Sequence, residues 1–90
     1  MATKTKTITV RVNGHEQRAR LTGRDYETTA GRAAARSLGR RAASVYSVCD
    51  DGVTDWGDGD VRRYYVVQIV TGQRHGDILP RETVRVSIDV

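Results

Sequence analysis

The sequence predicts an α+β fold: a two-layer sandwich of order ββαβββ, with one mostly antiparallel five-stranded sheet and one helix packed on one face. Three observations carry this prediction. Residues 7–12 and 83–90 alternate apolar and polar without a fault, the period of a half-buried strand. Asn13-Gly14 separates the first alternating run from a second one, a strong hairpin signal because both turn positions take positive φ. Between them, residues 28–43 are rich in alanine and amphipathic at the helical period.

In the first strand Ile8, Val10 and Val12 face inward, and the return strand, to about Thr22, turns Ala19 and Leu21 to the same side. Gly23 ends it. Asp25 or Thr28 is the expected cap of the helix, with Glu27 in the first turn, where the dipole favours an acid. The helix is expected to run to about Ala43, with Ala30, Ala34, Leu38 and Ala42 on the packed face. Gly31 and Gly39 within it each cost up to about 1 kcal/mol relative to Ala, acceptable if they let the helix lie close to the sheet. Residues 44–49 read as a short strand and residues 50–60 as a long acidic, glycine-rich loop. Residues 61–71 form the longest strand, apolar on both sides and therefore expected inside the sheet. Residues 72–81 read as a loop holding the single proline. Strand order is open between a β-grasp, with first and last strands central, and a meander of the last three strands. Residues 1–6 are expected to fray. No repeat or linker divides the 90 residues, so a single domain over 1–90 is expected.

At this length the core is thin, with no room for a deep catalytic cavity. One cysteine, Cys49, excludes an internal disulfide and fits a reducing compartment. The lysines near the N-terminus are not followed by an apolar run, and no segment has the length of a membrane span. These features point to a soluble cytoplasmic protein with no membrane partner.

The net charge of +4 is unevenly distributed. Residues 1–46 carry ten Lys/Arg against three acids, and residues 47–90 five Arg against eight acids. A dipolar surface follows, with its basic half suited to a phosphate backbone or an acidic protein. The sharpest feature of that half is Arg32, Arg36 and Arg40. Four residues apart, at about 100° per residue, they share one helical face opposite the alanines. Arginine suits phosphate because its planar fork donates two parallel hydrogen bonds. Outward-facing Arg11, Arg18, Arg20 and Arg85 form a second expected patch on the open face of the sheet beside Tyr64. Basic side chains interleaved with an aromatic ring are a means of holding single-stranded nucleic acid. The competing reading for both patches is ordinary solubilising charge.

Other residue types offer less. Asp50, Asp51, Asp55, Asp58 and Asp60 do not have EF-hand spacing and lack its bidentate glutamate, so neither a metal nor another cofactor is expected. Trp56, in the same stretch, reads either as a ring folded over the sheet edge or as an exposed binding anchor. Cys49 reads as a buried small hydrophobe. His15 and His75 stand alone, and no Ser/His/Asp, Cys/His or paired-carboxylate arrangement is visible, so no catalysis is expected.

The run from Ala19 to Val48, ARLTGRDYETTAGRAAARSLGRRAASVYSV, joins a strand end, an acidic-aromatic cap, an alanine-rich helix and a short strand. In this pattern it resembles small α+β proteins of phages and mobile elements, including anti-CRISPR inhibitors. The resemblance implies a non-catalytic inhibitor that occupies a nucleoprotein complex stoichiometrically, inside the host cell. Many such inhibitors are acidic mimics of nucleic acid. This basic chain points instead to capture of nucleic acid or of an acidic surface on the target. The other readings are a plain nucleic-acid-binding module and a virion assembly protein.

Overall fold

The computed structural model describes residues 5–23, 25–55, 57 and 61–89. It has five strands and one α-helix: β1 Thr5–Val12, β2 His15–Thr22, α1 Tyr26–Leu38, β3 Ser44–Asp55, β4 Val61–Val70 and β5 Arg81–Asp89. The strands form one antiparallel sheet in the order β2-β1-β5-β4-β3. Strands β3, β4 and β5 make the expected meander. β5 occupies the centre and also pairs with β1, so first and last strands are neighbours, but antiparallel ones. β4 lies between β3 and β5, which explains its apolar residues on both sides.

Local chemistry accounts for the turns. Asn13 and Gly14 have φ of 50° and 86°, the double positive pair that a tight hairpin needs. Asn13 also ties the hairpin to the centre of the sheet. Its N–H donates to the Arg85 carbonyl (2.8 Å), and its side-chain oxygen accepts the Arg85 N–H (3.0 Å). Of the two candidate caps, Asp25 is the one used: its carboxylate accepts the Thr28 N–H.

The core lies between α1 and one face of the sheet. Ala30, Ala33, Ala34 and Leu38 from the helix meet Val10, Val12, Ala19, Tyr65, Val67, Ile69, Val84, Val86 and Ile88. Small helix residues allow close approach, and Gly31 shows how close: a Cβ there would sit 3.4 Å from a Val48 methyl and 3.6 Å from a Val45 methyl.

Four expectations are corrected. The helix ends at Leu38, not near Ala43. Gly39, at φ 60° and ψ −125°, caps it by donating its N–H to the carbonyls of Ala35 and Arg36, and residues Gly39–Arg41 form a 3-10 turn. Arg40 therefore leaves the helical face, and Ala42 lies outside the helix. Second, much of the expected acidic loop is strand, because β3 runs on to Asp55 against the full length of β4. The aspartates absorb the irregular backbone. Asp50 accepts the Gly52 N–H (2.8 Å) at a bulge, and Asp55 accepts the Gly57 N–H (2.9 Å). Third, Cys49 is exposed: it pairs with Val66 on the side of the sheet away from the helix. Fourth, strand β1 begins at Thr5, inside the stretch expected to fray.

Candidate anion-binding groove

The functional candidate forms where α1 passes beside β2, an outer strand of the sheet. Alternation on β2 turns Ala19 and Leu21 under the helix and leaves Arg18 and Arg20 exposed. On the helix, Arg32 and Arg36 emerge at the border of the buried face that includes Thr29 and Ala33. The two arginine pairs converge on one groove of about 360 Å³, lined by Thr7, Arg18, Ala19, Arg20, Thr29, Arg32 and Arg36. No carboxylate lines it, and none of its four arginines makes an ion pair among the described residues.

The groove floor is closed by bonds between helix and strand. Buried Thr29 donates its hydroxyl toward the Arg20 carbonyl (3.3 Å) and to the Asp25 carbonyl one turn back (3.0 Å). Arg36 donates to the Arg18 carbonyl (3.5 Å). The outward carbonyls of Arg18 and Arg20 thus face donors from the helix, which guards that part of the edge against a further strand. What remains open is a channel of guanidinium groups.

The other residues singled out by sequence are distributed differently. Arg11 is held on Asp89 by two bonds of 3.0 and 3.1 Å, and lies 3.8 Å from Glu16. Arg62 shares the same carboxylate through its Nε at 3.0 Å. The hydrogen bond that Arg62 donates to Asp89 raises the Arg62 pKa above its ordinary value, against the opposing effect of burial. This cluster stitches β1, β4 and β5 together on the open face, so Arg11 is a structural cation here. Tyr64 lies beside Arg62, Arg85 and Ser87 in a separate shallow hollow that also contains Asp51. Arg40 is exposed in the 3-10 turn and does not line the groove. Trp56 lies outside the described residues.

The two patches expected from sequence are therefore rearranged. Arg18 and Arg20 join Arg32 and Arg36, while Arg11, Arg85 and Tyr64 belong elsewhere. Sequence reading missed Thr7 and Thr29 as lining residues. The available signal was the three-residue connection 23–25, too short to carry the helix far from β2. Among the described residues, no group of three His, Cys, Asp or Glu side chains is placed to hold a metal ion, and no helix is long and apolar enough to cross a membrane. Compared with known proteins, the chain matches no family model, no curated protein and no solved structure.

Proposed function

We propose that this protein is a non-catalytic binding protein that acts by occupancy, docking on the phosphates of a nucleic acid or nucleoprotein complex through Arg18, Arg20, Arg32 and Arg36. The observation that carries this reading is the convergence of four arginines on one groove with no carboxylate in its lining. Opposed guanidinium groups with no internal anion favour an external one. Phosphate fits because each guanidinium offers a planar pair of donors. Successive arginines on the strand are about 6.6 Å apart along its axis, and those on the helix about 6 Å, so each row can follow a repeating backbone. The groove offers no aromatic ring and no Asn or Gln; its arginines suit backbone phosphates, contacts that position a nucleic acid.

Strand addition by an acidic peptide is the less favoured mode, because the Arg18 and Arg20 carbonyls are already engaged. Occupancy of a nucleic-acid path would inhibit a nucleoprotein machine one molecule at a time, the action implied by the resemblance to phage inhibitors. Capture from a host lysate, with and without nuclease, tests the proposal. A partner lost on nuclease treatment marks nucleic acid as the ligand. A partner retained after it, but lost when the four arginines become Glu, marks a nucleoprotein or acidic surface. Capture unaffected by that substitution would refute the groove as the docking site.

A further inference from the structure

The two outer strands of the sheet are finished in different ways. The helix covers the outward Arg18 and Arg20 carbonyls of β2 through Arg36 and Thr29. On β3, among the described residues, no side chain from another element bonds to the backbone. The same strand carries three of the four large apolar side chains left exposed among the described residues: Val45 at 43%, Tyr46 at 54% and Val53 at 53%. An unguarded outer strand with exposed apolar groups is a template for pairing with another chain.

The charge order of the segment identifies the partner. Arg40 and Arg41 precede β3, Val45–Cys49 fill its first half, and Asp50, Asp51 and Asp55 lie in its second half. Such a segment is complementary to its own reverse. Laid antiparallel on a second copy, with the two-fold axis at Ser47, the acidic end of each strand runs back toward the basic start of the other. A parallel arrangement sets like charges together. Bulges after Val45 and after Asp50 leave a short straight run, Ser47–Asp50, so the flanking charges and not a long ladder fix the register. Arg41 now pairs with Glu82 at 3.2 Å, but its side chain is 65% exposed, and a pair so open to water exchanges partners at little cost.

We infer that the protein forms a two-fold symmetric homodimer through antiparallel pairing of β3 with β3 of a second copy. The result is one ten-stranded sheet. Its contact is isologous, the same surface on both copies, which closes the assembly at two. The arginine grooves then lie at the two far ends, about nine strand spacings or roughly 43 Å apart. An anionic polymer long enough to reach both would be held by two sites at once.

Sedimentation equilibrium on the full chain tests this inference. The unmodified protein should sediment with the mass of two chains. Two reversals, Arg40→Asp with Arg41→Asp and Asp50→Arg with Asp51→Arg, should each give monomers, because each sets like charges face to face. Mixed in equal amounts, the two variants should form a heterodimer. If either reversal fails to fold by circular dichroism, the exposed central substitution Val45→Lys should give the same loss of dimer. A monomeric unmodified protein, a dimer that persists through the reversals or through Val45→Lys, or folded variants that stay monomeric when mixed would each overturn the inference. None of these readings depends on nucleic acid, so they stand or fall separately from the function of the groove.

Discussion

Arg36 donates a 3.5 Å hydrogen bond to the main-chain carbonyl of Arg18, across the gap between helix and outer strand. The bond is long and exposed, so it positions more than it stabilises. It occupies a carbonyl that would otherwise invite another strand. It also keeps the Arg36 side chain on the groove that Arg18 lines.

The first prediction separates binding from stability. Arg32→Glu with Arg36→Glu should shift stability by no more than about 1 kcal/mol, since both side chains are exposed and neither makes an ion pair among the described residues. Partner binding should fall at least tenfold. Thermal melts and a binding titration on the same samples read both effects. A large loss of stability with binding intact would show that these arginines are structural.

Gly39 should not tolerate a side chain. Its φ of 60° with ψ of −125° lies where other residues are strained by about 1–3 kcal/mol. Gly39→Ala should therefore lower the denaturation midpoint, although a Cβ there meets no atom within 4 Å. An unchanged midpoint would mean that the helix does not end as described.

Tyr65 gives an alkaline signature. Burial raises its pKa above the ordinary 10.0, and nearby Arg63 opposes that effect in part. A folded value above the unfolded one means the neutral phenol is favoured in the native state. That contribution to stability is complete below pH 10 and is lost as pH rises through the folded pKa. Ultraviolet titration should show one of the four tyrosines ionising late and together with unfolding. Replacement by Phe should remove that late step, and simultaneous ionisation of all four would contradict the burial.

Cys49 is exposed on the sheet face away from the helix, so the native protein should react with a thiol reagent at one equivalent per chain without denaturant. A thiol that reacts only after unfolding would restore the buried placement expected from the sequence.

Much of the fold was legible because it rests on local patterns. Asn13-Gly14 specifies its turn by conformation alone, and Val84, Val86 and Ile88 announce their face by alternation. Less legible was whatever depends on a distant partner. Asp50 to Asp55 look like a loop by composition, and are strand because β4 extends alongside them. Arg11 looks like a free cation, and is bound by Asp89, 78 residues away. Gly39 reads as helix interior in sequence, and is an end because the chain returns to β4, where Ala43 donates to the Val70 carbonyl. The groove belongs with these cases. Each arginine pair was visible in its own element, but the pairs meet only because β2 lies at the outside of the sheet, and that position follows from β5 pairing with β1.

We propose that Arg18, Arg20, Arg32 and Arg36 grip phosphates. The salt dependence of oligonucleotide affinity tests it most directly. For the unmodified protein, log affinity should fall linearly with log salt, by about 0.7 per phosphate neutralised on a single strand or about 0.9 on a duplex. Each Arg→Gln substitution in the groove should make the slope shallower by about one such step, while Arg11→Gln should leave it unchanged. A slope near zero, or one that is indifferent to the groove and sensitive to Arg11, would mean that the groove does not bind phosphate.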